Sequence, residues 1–276
     1  MNSNWRFLNT GSYSGAMNMA LDEILLKGVQ NGGRPVVRFY TWDPPAISFG
    51  YAQDPYNEVD VDRCTEAGID LVRRPTGGRA VLHWEELTYS VVAPLNDSVS
   101  WGQRINEAYN VIGKCLVKGL QRYGVDAEIE KGQVGVVRHP RGKTATPCFS
   151  SIARSEVKLK GRKLIGSAQR RFSDAMLQHG SIIIGNEHER LTELLLLGDH
   201  ERLEWKKELA NKSVSLRDYS ENEIDQRHLI DCLFAGFSQE FNCSINVENI
   251  SEEERGHASD RMDCWRISPS LDRLAR

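Results

Sequence analysis

EVKLKGRKLIGSAQRRFSDAMLQHGSIII, residues 156–184, decides the fold. Glu156 to Lys160 and Lys163 to Gln169 read as two strands, with Gly161-Arg162 as the tight turn of a hairpin. Leu177 to Ile184 reads as another strand, and a helix follows over about Glu187 to Leu197. Upstream, residues 130 to 148 are polar and rich in Gly and Pro, a long loop of the kind that usually carries function or stays disordered. A helix from about Gln103 to Tyr123 precedes it. Ile105, Tyr109, Ile112, Leu116 and Leu120 give it a buried stripe, and Gly124 stops it. Strands are expected over Val36 to Tyr40, Ala46 to Tyr51, Leu71 to Arg73 and Leu87 to Ala93. Ser14 caps a helix from about Gly15 to Gln30, with Met17, Leu21, Ile24 and Leu25 on one face. A last helix spans about Glu221 to Phe241, with Ile230, Leu233, Phe234, Phe237 and Phe241 on one side. Strands come in groups with helices between, not in strict alternation. The fold class is therefore α+β, a mixed or antiparallel sheet flanked by helices, and not a parallel doubly wound sheet.

The 276 residues are 40% hydrophobic and 26% charged, which excludes a disordered or fibrous chain and suffices for a core without staples. No apolar run approaches the roughly 20 residues of a membrane helix, and MNSNWRFLNT has no signal-peptide pattern, so a cytoplasmic location is expected. The six cysteines form no CxxC pair, which argues against a zinc site, and no metal is expected. Cys115 and Cys232 sit in helical patterns as small hydrophobes. The net charge of -3 hides an asymmetry. Residues 138–171 hold ten Lys/Arg and one acid, Glu156, whereas residues 186–260 hold eighteen Asp/Glu and eight Lys/Arg. A basic segment steers acidic partners. With only Phe149 and Phe172 to stack on bases, it does not suit nucleic acid. An acidic carrier protein suits it.

Three constellations bear chemistry. In RRPTGGRAVLH, residues 73–83, Gly77 and Gly78 let backbone approach a ligand, and successive N–H groups make an anion nest beside Arg73, Arg74 and Arg79. The same residues also fit a plain hairpin turn; the loop lacks the lysine of a Walker A motif. In GRKLIGSAQRR, residues 161–171, Lys163 opens a strand. Gly166, Ser167 and Ala168 are small, which suggests a closely approaching ligand; Lys163 alone also reads as a solvated turn lysine. Cys148, in TPCFSS, lies outside any core stripe and amid cations that favour its thiolate, though a packed thiol is the bland alternative. His83, His139 and His179 are candidate bases, although a lone histidine is more often structural.

Together these segments resemble a known family. RRPTGGRAVLHWEELTYSV (73–91), CFSSIARSEVKLKGRKLIGSAQRR (148–171), LQHGSI (177–182), FLNTGSYSGAMNMALDE (7–23) and VVRFYTWDPPAISFGYAQ (36–53) are similar to the biotin/lipoate A/B protein ligase family, and within it to octanoyltransferases of the LipM type. ATP-dependent lipoate ligases share the glycine loop and the lysine but generally lack the cysteine. The resemblance covers roughly residues 5 to 245. It places a catalytic domain at 1–250 and leaves 251–276 as a C-terminal tail, where Trp265 alone is suggestive. The fold it implies is that of the class II aminoacyl-tRNA synthetase and biotin–lipoate ligase catalytic domains.

The implied chemistry is octanoyl transfer without a cofactor. Cys148 is the nucleophile that takes octanoyl from acyl carrier protein as a thioester, and Lys163 stabilises the thiolate and shuttles protons. A lysine of an apo lipoyl domain or of glycine cleavage H protein is the acceptor. Arg74, Thr76, Gly77, Gly78, His83, Gly166, Ser167 and Ala168 are the expected substrate-binding residues. No nucleic acid or membrane partner is implied, and a monomer is favoured. The rivals are an ATP-dependent lipoate–protein ligase, an octanoyl amidotransferase between lipoyl proteins, and a carrier-binding adaptor without chemistry.

Overall fold

A computed structural model describes residues 4–96, 99, 101–102, 105–130, 156–220 and 222–267. The elements in chain order are β1 (Arg6–Tyr13), α1 (Gly15–Gln30), β2 (Val36–Trp42), β3 (Ala46–Phe49), α2 (Val61–Glu66), β4 (Asp70–Arg73), β5 (Val81–His83), β6 (Glu86–Pro94), α3 (Ile105–Tyr123), β7 (Ala127–Ile129), β8 (Val157–Leu159), β9 (Arg162–Arg171), β10 (Ala175–Ile183), α4 (Leu191–Leu194), α5 (Asp199–Lys212), α6 (Gln226–Phe241), β11 (Val247–Glu248) and α7 (Glu252–Arg261). Eight strands form one mixed sheet in the order β11-β1-β2-β6-β10-β9-β8-β7, and β4-β3-β5 form a second. Only β11/β1 and β1/β2 pair in parallel in the large sheet. The expected α+β class holds.

The pleat sorts side chains between two cores. On β6, Leu87, Tyr89, Val91 and Ala93 face α3 and α6, whereas Val92 joins the cluster formed by Met17, Leu21 and Leu25 of α1. Ser14 caps α1 by accepting from the Met17 amide, and Gly124 follows α3 at φ +97°. Helices α3 and α6 cross at two glycines. A Cβ on Gly236 would lie 2.3 Å from the Cys115 carbonyl oxygen, and one on Gly119 would lie 2.6 Å from the Leu233 Cα. Gly236→Ala is therefore expected to destabilise the fold by roughly 1–3 kcal/mol, as overpacking does. Urea unfolding checks this.

Four expectations are corrected. Ile105 is 48% exposed and stands outside the buried stripe of α3. The hairpin turn is Lys160-Gly161, both with positive φ, so β9 begins at Arg162. The helix expected after β10 is a 3₁₀ turn (Glu187–Arg190) with the single turn α4. Residues 252–267 pack as part of the same body. Arg261 and Trp265 donate to Glu23 of α1, and Arg73 and Ile267 exchange backbone bonds with Trp265 and Leu71. No described helix is long and apolar enough to cross a membrane.

Candidate active site

Between the large sheet and its cover of α1 and the small sheet lies a narrow, mostly apolar slot with about 30 Å³ of enclosed space behind an open mouth. Gly166, Ser181, Thr88 and Tyr40 line it from β9, β10, β6 and β2, and register makes them one cross-strand row. Arg74, His83, Ser167 and Ala168 also line it, so five of the eight expected binding residues meet here. Thr76 touches the wall through His179, with Thr76 Oγ1 2.6 Å from His179 Nε2. Trp42 stacks on His83, ring centroids 4.0 Å apart, and donates to Thr88. His83 Nδ1 lies 2.8 Å from Glu86 Oε1, and Nε2 lies 2.7 Å from Ser48 Oγ.

Lys163 is aimed by an irregularity. Val157 pairs with Ile165 but Lys158 pairs with Lys163, so β9 carries one extra residue. Leu164 and Ile165 both enter the α3/α6 core as a result. Strict alternation would have sent Lys163 into that core behind Ile165. The bulge instead turns it to the face of Gly166 and Ala168, where its ammonium donates to Glu156 Oε1 at 2.7 Å. Both members are nearly buried, Lys163 at 3% and Glu156 at 6% exposure. Lys163 does not line the slot; it stands further along the same strand. Cys148, its expected partner, lies outside the described residues, as does His139.

The glycine loop is anchored by its carbonyls. Arg170 donates to the Pro75 oxygen, the Tyr51 amide to Thr76, and Arg74 to both Gly77 and Arg79. Gly78 holds φ +101°, and a Cβ on Gly50 would lie 2.3 Å from the Gly78 oxygen. The loop is thus clamped against Gly50. Among the described residues the Gly77 and Gly78 amides have no acceptor, so the loop presents N–H groups, the arrangement that holds an anion or a developing oxyanion.

Behind the slot lies a buried polar group that pattern reading passed over. Asp22, in the middle of α1, accepts from Arg38 and Ser90 on Oδ1, and from Tyr40 on Oδ2, with His179 Nδ1 3.3 Å from Oδ2. Arg38 and Asp22 are both fully buried. Burial pushes the Asp22 carboxyl up, but the bond from His179 and the Arg38 charge outweigh it and hold it below the usual range. Burial pushes His179 below the ordinary imidazole value despite Asp22, and burial lowers His188 as well. An unfolded histidine takes its proton near about pH 6.5. The folded chain takes it only at lower pH, so stability is full above that value and falls as acid is added. Asp22 acts with the same sign further down. The urea midpoint is therefore expected to be lower at about pH 5.5 than at about pH 7.5, the reverse of what histidines stabilised in charged form would give.

No group of three described His, Cys, Asp or Glu residues is placed to hold a metal. The lipoyl protein ligase A/B catalytic domain matches residues 14–238, a span holding the slot, the glycine loop and the bulged strand. The chain belongs to this family, among the LipM octanoyltransferases. It is 39% identical over 253 residues to "Octanoyltransferase LipM" of Carboxydothermus hydrogenoformans, covering 91% of each chain. To that of Staphylococcus aureus it is 34% identical, covering 96% of this chain and 97% of the relative. Its fold is shared with a bipartite lipoate protein ligase of Thermoplasma acidophilum (TM-score 0.76, 23% identity, 94% and 92% coverage). It is also that of a lipoate-protein ligase A bound with ATP (TM-score 0.73, 24% identity, 95% of each chain). Family membership thus accounts for the α+β architecture.

Proposed function

We propose that this protein transfers octanoyl from octanoyl-acyl carrier protein to a lysine of an apo lipoyl domain or of glycine cleavage H protein, in lipoate biosynthesis. The observation that carries the reading is the slot. It crosses β9, β10, β6 and β2, three interstrand gaps of about 4.8 Å, or about 14 Å in all. Seven carbon–carbon bonds of about 1.5 Å make an extended octanoyl chain at most about 10 Å long, shorter than that row of lining residues, so the row can flank the chain once the side-chain walls of the narrow slot part. The near full-length LipM relatives support the same acyl group.

In this reading Cys148 attacks the donor carbonyl as thiolate. The bond from carbonyl carbon to the carrier sulfur breaks, and the carrier thiol leaves with a proton. The neutral acceptor amine then attacks the Cys148 thioester, an amide forms, and the cysteine thiol is regenerated. Lys163 supplies positive charge and proton exchange, on a strand that also lines the slot. The Gly77 and Gly78 amides are the donors for the oxyanion of each step. Thioester to thioester is nearly isoenergetic and thioester to amide is downhill, so no nucleotide enters. The basic segment 138–171 suits acidic carriers and lipoyl domains.

The second reading is an ATP-dependent lipoate ligase, favoured by the fold it shares with an ATP-bound ligase. Cys148 has no task there. Incubation with octanoyl-acyl carrier protein and an apo lipoyl domain, followed by intact-protein mass spectrometry, separates the two. Octanoylation of the acceptor without ATP is expected. Modification only with ATP and free acid would replace the transferase reading by the ligase.

A further inference from the structure

We propose that His179 is a positioning residue for the glycine loop, anchored through Asp22 to the buried Arg38. The inference rests on the transferase reading for its kinetic part, because that reading gives the loop amides their task.

Arg38 is fixed on several sides. Its guanidinium donates to Asp22 Oδ1, to the Asn18 carbonyl and side-chain oxygens, and to Thr10. Asp22 is held in turn by Ser90 and Tyr40. An ionised carboxylate only accepts, so His179 Nδ1 carries the hydrogen in that contact. A neutral ring then has a lone pair on Nε2. Thr76 therefore donates its hydroxyl hydrogen to Nε2 across 2.6 Å. The hydrogen-bond polarity runs one way, from Thr76 through His179 to Asp22.

Thr76 immediately precedes Gly77 and Gly78. The other anchors of the loop grip its carbonyls, two of them from Arg74 within the same segment, one from the Tyr51 amide and one from exposed Arg170. The Thr76–His179 bond ties the Thr76 side chain to a largely buried strand of the central sheet, at the row where His179 pairs with Ala168. Oxyanion donors work only when aimed in advance, and displacing them costs rate, not affinity.

The test uses full-length variants and two readouts, steady-state octanoyl transfer and hydrogen exchange of the 76–79 amides. His179→Asn keeps a polar atom near the Nδ1 position but loses reach to Thr76. His179→Gln keeps one near Nε2. Thr76→Val removes the hydroxyl and Thr76→Ser restores it. His179→Asn and Thr76→Val are each expected to lower kcat by about 10- to 100-fold, with KM within about twofold. Their double variant is expected to be no worse than the poorer single, because both cut the same bond. His179→Gln and Thr76→Ser recover most of the loss. Loop exchange quickens in the first two and not in the last two. Wild-type kcat and unchanged exchange in His179→Asn would overturn the proposal, as would losses that simply add. If the wild type transfers no octanoyl, the transferase reading fails, and the exchange pattern still decides whether His179 positions the loop.

Discussion

Replacing Cys148 by alanine is expected to lower octanoyl transfer by about a thousandfold or more and to abolish any acyl adduct on the enzyme. In the proposed mechanism every turnover passes through a thioester on that sulfur. Alanine leaves no group able to take the acyl chain, and a single missing nucleophile removes the advantage of splitting one hard step into two. Direct attack by the acceptor lysine on the carrier thioester stays open but slow, because carrier and acceptor would have to meet over one slot. Binding of octanoyl-acyl carrier protein should survive, since the slot, Arg74 and the glycine loop are untouched. Single-turnover mass spectrometry reads both quantities. A variant that keeps wild-type turnover would remove the cysteine from the mechanism and move attention to the ligase reading.

Lys163→Met should show two separate losses. Transfer is expected to fall by about 10²- to 10⁴-fold, the usual range for a lost proton-transfer group. Stability is expected to fall by about 3–5 kcal/mol, because Glu156 at 6% exposure is left as a buried charge without its ammonium. The two are separable. In Lys163→Met with Glu156→Gln the buried carboxylate charge is gone, and most of the stability should return while transfer stays low. Urea unfolding and transfer assays on the wild type, the two single variants Lys163→Met and Glu156→Gln, and the double variant check this. Recovery of transfer in the double variant would mean that Lys163 served only to neutralise Glu156.

Much of this arrangement was open to reading from the chain. The α1 and α6 stripes are regular, Ser14 and Gly124 sit where elementary rules put them, and the hairpin is present with its turn one residue earlier than expected. Small residues at 166–168 marked the slot on one strand only. Its other walls, Trp42, Tyr40, Ser48 and Ser181, come from three further strands whose neighbourhood depends on sheet order. Helix α5 was missed because only Leu209 of its fourteen residues is buried, so it has no apolar period to detect. Asp22 looked like an ordinary helical acid. Its partners Arg38, Ser90 and His179 are 16, 68 and 157 residues away, and no local pattern announces such a meeting. The bulge that aims Lys163 is a property of pairing and not of composition.

The way residues 246–267 close the structure has a consequence for biosynthesis. Strand β1 pairs along one edge with β11, and Phe7 donates to the Asn246 carbonyl. The outer side of α1 waits for α7 and Trp265, and the β4 backbone waits for residues 265–267. A ribosome makes all of these after the rest of the sheet and its helices. Until residues 246–267 have emerged, the chain has its α3/α6 core but an uncovered first strand and an uncovered first helix. Exposed strand edges of that kind recruit other chains. Chains truncated near residue 245 should therefore be more aggregation-prone than chains that include residues 246–267.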